Sequence, residues 1–296
     1  HLWPGAGSVG SETADAIIWS VRLPRVLLGV LIGGSLAVSG AVFQGLLRNP
    51  MADPYVLGIS AGASLGAALA MTLATRAGLF TLGTVPLFAF VGSLLAVAMV
   101  YRLGRVRGQL SILTLLLAGV AVSTVLSSIV SFLVYFSGDK FQPLIYWLMG
   151  GLGGRGWNAV LTTLPYLAIG SGLALVYSRH LNAMSLGDEA AHHLGVPVAR
   201  VRLILVCAGS LLAAAAVSAG GIIGFVGLLV PHILRLIIGA DHRLLIPASL
   251  LAGGTFLTLA DTIARTLMAP TELPVGIVTA LCGGPVFLYL LRRKVA

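Results

Sequence analysis

Residues 26–47 read VLLGVLIGGSLAVSGAVFQGLL, without one charged side chain. A helix needs about 20 apolar residues to cross the hydrocarbon core of a bilayer, and this run has that length. Its glycines and serines would weaken a helix in water, but in lipid they let helices approach closely. RLPR stands immediately upstream at 22–25, and RNPMADPYVLGISAGASLG follows at 48–66. In that downstream stretch Asn49-Pro50 and Asp53-Pro54 are turn dipeptides that stop one helix and start another. Residues 26–47 are a membrane span, and an elaborate connection follows it.

The rest of the chain repeats this pattern. Hydrophobic residues make up 58% and charged residues 9%, with 38 glycines and a mean hydropathy of +1.02. Soluble domains carry about a quarter charged residues, so an ordinary soluble domain is excluded. Barrel strands alternate over about 10 residues, whereas these runs are continuous. Further apolar runs cover 55–75, 85–101, 110–136, 157–177, 201–219, 222–238, 244–268 and 274–291. They predict nine crossings, with 141–151 as a short re-entrant or interfacial helix. The expected fold is all-α, a polytopic membrane protein forming one transmembrane domain over 1–296.

The net charge of +9 forms no aromatic-interleaved patch of the kind that binds nucleic acid. The basic residues stand at the ends of apolar runs. One set of connections holds Arg48, Arg102, Arg105, Arg107, Arg179, Arg200, Arg202, Arg235, Arg243, Arg292, Arg293 and Lys294. The opposite set holds Arg22, Arg25, Arg76, Lys140, Arg155 and Arg265. The positive-inside rule puts the richer set in the cytoplasm, so the C-terminus is inside and His1 outside. An outer N-terminus calls for a removed signal peptide or a missing helix. The missing helix is the favoured expectation, giving ten in all, with 1–20 as an outer loop.

The connection at 178–202, SRHLNAMSLGDEAAHHLGVPVARVR, carries a helix marked at both ends. Asp188 and Glu189 suit its first turn and His192 and His193 its last. Gly195 is placed to cap it and Pro197 follows. Leu186, Ala190 and Leu194 fall on one face at i, i+4 and i+8. Such a helix either lies on the membrane or is gripped by a partner subunit. Adjacent histidines point about 100° apart, so they make a poor metal site. Asp261, the one acid deep in a run, is expected to pair with Arg265 at i+4. His232 beside Pro231 reads as structural. Cys207 and Cys282, with no CxxC, are expected to be buried inert thiols.

The motifs, in order, resemble the permease subunits of ABC importers for vitamin B12, haem and ferric siderophores. They are RLPR at 22–25, RNPMADPYVLGISAGA at 48–63, LLLAGVAV at 115–122, YWLMGGLGG at 146–154 and LNAMSLGDEAAHHLGV at 181–196. GGIIGFVGLLVPHILRLIIGADHR at 220–243, LAD at 259–261 and ELPVGIVTALCGGPVFLYLL at 272–291 complete them. The resemblance implies the ten-helix importer permease fold, with the first helix absent from this chain. It implies a homodimer with two cytoplasmic ATPase subunits and a periplasmic binding protein, in a bacterial inner membrane. This chain would bind no cofactor, and ATP and Mg would sit on the ATPase.

Residue by residue, the resemblance makes Leu186, Gly187, Asp188, Glu189, Ala190, His193, Leu194 and Gly195 the segment, within a loop at 180–200, that seats in the ATPase. Arg22, Arg25 and Arg265 match arginines that receive acids of the binding protein. Asn49 and Met51 match an inner gate, and Ser111 and Ile112 a second gate, apolar here at Ile112. Arg155, near the outer mouth, is a candidate for contact with an anionic cargo such as a haem propionate. Haem or another iron chelate is the expected cargo, with cobalamin as the alternative. An ion-coupled secondary transporter is the rival from another class. It would show intramembrane charges, and Asp261 is the only acid of that kind.

Overall fold

The computed structural model describes residues 12–77, 83–106, 109–137 and 142–295. In chain order the helices are α1 (Glu12–Ile17), α2 (Leu23–Leu46), α3 (Ile59–Ala77), α4 (Thr84–Leu103), α5 (Ile112–Ser137) and α6 (Gln142–Leu148). Then come α7 (Gly156–Val176), α8 (Ser178–Ser185), α9 (Asp188–His193), α10 (Val198–Gly220), α11 (Val226–Ile238), α12 (His242–Thr266) and α13 (Val275–Val295). A π-helical turn, Ile18–Arg22, leads into α2, and a 3-10 turn, Pro54–Leu57, precedes α3. Four residues pair as a hairpin, Arg105 with Leu110 and Val106 with Gln109, and the fold class remains all-α.

Among the described residues six helices are long and apolar enough to cross a membrane, and three more are apolar but shorter. The span at 26–47 is the hub. Its apolar window is 83% buried against 22% for α5, and α12, α10, α11 and α7 pack around it. Small residues make this possible. A Cβ on Gly33 would strike the Gly253 carbonyl of α12, so these two helices touch backbone to backbone. On the other side α3 and α4 pack against each other and against α5, around a smaller cluster of Ala63, Ala67 and Ala89.

Two of the predicted continuous runs are broken. The run at 55–75 begins as the 3-10 turn, bends at Gly58 (φ +80°) and only then becomes α3. The run at 222–238 starts as extended chain, and α11 begins after Phe225, whose φ is +68°. Hydropathy reports burial, not helicity, and non-helical backbone inside a membrane protein is allowed where protein satisfies it. Here the Tyr55 hydroxyl donates to the Ile223 carbonyl at 3.0 Å, and the Gly151 amide donates to the Gly220 carbonyl at 2.8 Å. Cys207 and Cys282 are free and exposed on the outside of the bundle, correcting the buried placement. Their runs are apolar because they face away from the bundle interior as well as into it.

Candidate functional site

At one end of the bundle Arg25, in the first turn of α2, reaches across to α12. Its Nε donates to Asp261 Oδ2 at 2.8 Å and its Nη2 to Asp261 Oδ1 at 2.9 Å, a bidentate pair. Its Nη1 donates to Glu272 at 2.9 and 3.0 Å. The pair expected from helical spacing, Arg265 with Asp261, is also present but longer, at 3.3 Å. Asp261 is therefore held mainly by a residue 236 positions away, which no local spacing reveals.

The three arginines of this end are not equivalent. Arg22 is exposed and, among the described residues, has no carboxylate partner. Arg265 is half-buried, while Arg25 is only 12% exposed and engaged on every nitrogen. A cavity of about 350 Å³ opens beside them, lined by Arg25, Asp261, Glu272, Arg155, Trp147 and Tyr146. Burial pushes the Arg155 guanidinium below the ordinary arginine value.

At the other end of α2, Arg48 adopts φ +50° and turns the chain. The Asn49 side chain accepts from the Met51 amide at 3.0 Å, an Asx turn that sets the position of Met51. Asp53 caps the 3-10 turn by accepting from the Tyr55 amide at 2.8 Å, and Gln44 Nε2 donates to the Leu228 carbonyl of α11 at 3.0 Å. The same Gln44 Nε2 reaches the Ala52 carbonyl at 3.5 Å, so one α2 side chain bridges the loop and α11. Ser111 caps α5, its Oγ accepting from the Thr114 amide at 3.4 Å. Ile112 packs with Leu46 and Leu47 around a void of about 10 Å³, so the second candidate gate rests on the end of α2 that leads into the first.

The coupling segment is shorter than the capped helix expected over residues 186–195. Gly187 (φ +119°) separates α8 from α9, which leaves Leu186 in the link. The cap is as anticipated: Gly195 has φ +80°, its amide donates to His192 O, and the Val196 amide donates to Ala191 O. Ala191 of α9 and Val196 just after it are buried, whereas Leu186 and Leu194 are 72% and 65% exposed. His192 and His193 are exposed too. The Asp188 carboxylate lies 2.6 Å from Arg202 of α10 and 3.5 Å from Arg48. Beside it Asn182 of α8 donates to Asp241 at 2.7 Å and accepts from the His242 amide at 2.9 Å. The Arg243 amide and Asn182 hold the Asp241 carboxyl below its usual range. Among the described residues, no three His, Cys, Asp or Glu side chains converge as a metal site.

The sequence matches the model of the FecCD transport family over residues 3–293. It is 50% identical to the cobalamin import system permease protein BtuC of Halobacterium salinarum, over 96% of this chain and 75% of that one. It is 44% identical to the hemin transport system permease protein HmuU of Yersinia pestis, over 96% and 86%. The fold superposes with a TM-score of 0.87 on an inward-facing metal-chelate type ABC transporter, at 33% identity over 99% of this chain and 92% of that one.

Proposed function

This chain belongs to the FecCD transport family, and from that premise we propose that it forms the membrane pathway for a macrocyclic metal chelate. It is a multi-pass permease subunit of an ABC importer, not an enzyme. Hemin and cobalamin, named for two relatives, are both large tetrapyrrole-type chelates, and haem is the first reading for the cargo. The observation that carries the reading is the pair of exposed leucines, Leu186 and Leu194, flanking the short helix α9, which Asp188 ties to Arg202 of α10. An apolar face held rigidly outside the bundle fits a partner that pushes.

In this reading a cytoplasmic ATPase seats on α9 at Leu186, Ala190 and Leu194, and two copies of the chain form the pathway. The exposed apolar face of α5, with Leu117, Val120 and Phe132, is available to the second copy. Closure of the ATPases moves α9, and Asp188 passes the motion to α10 and to Arg48, next to the Asn49–Met51 loop. That loop and the Ser111–Ile112 layer close the inner end. A periplasmic binding protein docks its acidic residues on Arg22 and Arg265 at the outer end, above the Arg25–Asp261–Glu272 cluster. The cargo test is uptake into proteoliposomes with ATPase, ATP and the binding protein loaded in turn with haem, cobalamin or a ferric siderophore. Stimulation by haem supports the first reading; stimulation by cobalamin alone replaces it, and by neither macrocycle refutes the class.

A further inference from the structure

A second cavity, of about 380 Å³, lies between α4, α7 and α10 and shares only Arg155 with the cavity described above. It opens where α4 and α7 begin and α10 ends. Arg155, Asn158 and Thr162 stand at its mouth. Pro86 and Ala215 line it deeper, and Phe90 and Tyr166 close its floor with ring centroids 5.0 Å apart. This volume lies within the usual range for small-molecule sites, about 300–1,000 Å³. The neighbouring exposed side chains, Leu87, Leu161 and Leu164, are apolar and suit contact with lipid.

The mouth is positive and unpaired. Among the described residues no carboxylate pairs with Arg155. No side chain caps α7 either, so its first amides add partial positive charge at the same place. Two of the hydroxyls in the lining are already used locally: Thr162 donates to the Asn158 carbonyl and Ser218 to the Ala215 carbonyl. A free anion would find one charge above an apolar slot. An amphiphile with an anionic head satisfies both parts.

We propose that this cleft holds one anionic phospholipid, its phosphate against Arg155 and the start of α7, and an acyl chain along the slot towards Phe90 and Tyr166. A choline headgroup would bring a cation towards Arg155, so the site selects net negative lipid. Because Arg155 also lines the outer mouth, the bound lipid braces one wall of that mouth.

The test uses the full chain in phosphatidylcholine nanodiscs with a minor fraction of spin-labelled phosphatidylglycerol or spin-labelled phosphatidylcholine. The fraction of immobilised label is measured for each. Preference for phosphatidylglycerol is expected, falling roughly tenfold in Arg155→Ala, the loss of about one charge-assisted contact. Arg155→Lys should restore part of it. Thr162→Trp, which fills the slot from its exposed side, should abolish it, and Arg102→Ala at the far end of α4 should not change it. Equal immobilisation of both lipids, or selectivity that survives both Arg155→Ala and Thr162→Trp, overturns the proposal. So does full displacement by free glycerol phosphate, or an Arg155→Ala that lowers cargo uptake while lipid selectivity stays intact.

Discussion

Asp188, in the first turn of α9, lies 2.6 Å from the Arg202 guanidinium on α10. Arg202 is nearly buried and Asp188 half-exposed, so the pair ties an external helix to a charge inside the bundle. Arg48 approaches the same carboxylate from the end of α2, at 3.5 Å. The carboxylate is thus the point where the proposed ATPase contact, α10 and the loop after α2 meet.

Asp188→Ala should therefore do two things. Leaving Arg202 without its partner should cost about 1–3 kcal/mol, seen as a lower midpoint of thermal unfolding in detergent. ATP-driven uptake should fall more than ATPase binding, since Leu186 and Leu194 are untouched. Arg48→Ala removes only the longer, exposed pair and should cost under about 1 kcal/mol. Equal loss in both variants would contradict the arrangement.

The cluster around Arg25 separates stability from docking. Asp261→Asn strips Arg25 of its bidentate partner within the bundle while Glu272 still holds it, and should cost about 1–3 kcal/mol. Charge reversal at Arg22 touches no internal carboxylate among the described residues. It should leave the unfolding midpoint unchanged while weakening association with the binding protein, measured by surface plasmon resonance.

Helix contact through glycine is testable by a matched pair. Gly33→Ala would drive a methyl into the Gly253 carbonyl and Leu257, and should destabilise by about 1–3 kcal/mol. Gly172→Ala, on α7 in open space, should be neutral or stabilise by up to about 1 kcal/mol through helix propensity. Thermal unfolding of both variants reads the difference.

Tyr55→Phe deletes the hydroxyl that joins the 3-10 turn to the extended chain at Ile223. The expected cost is about 1 kcal/mol, together with faster hydrogen exchange at Ile223, whose own amide donates to that hydroxyl at 3.4 Å. Unchanged exchange would mean that packing alone holds this crossing.

Much of this architecture was legible in one dimension. The all-helical class and the Gly195 cap are local properties, and both are found where the residues indicate. The breaks at Gly58 and Phe225 were not legible, because burial makes a non-helical segment as apolar as a helical one. Nor was the role of Arg25: RLPR reads as a surface basic motif, yet its second arginine turns inward to Asp261 and Glu272. Those partners lie 236 and 247 residues away and are found only in three dimensions. Asp188 stood out as a helix-starting acid, but its bond to Arg202 had no signature at a spacing of 14 residues.

The central claim is that this chain transports only when an ATPase acts on α9. The most direct measurement is cargo uptake into proteoliposomes containing the chain with its ATPase and loaded binding protein, compared with Leu194→Asp and with vesicles lacking the ATPase. The account predicts ATP-dependent uptake that both controls abolish while Leu194→Asp remains folded. Uptake driven by an ion gradient without the ATPase, or undiminished by Leu194→Asp, would contradict it.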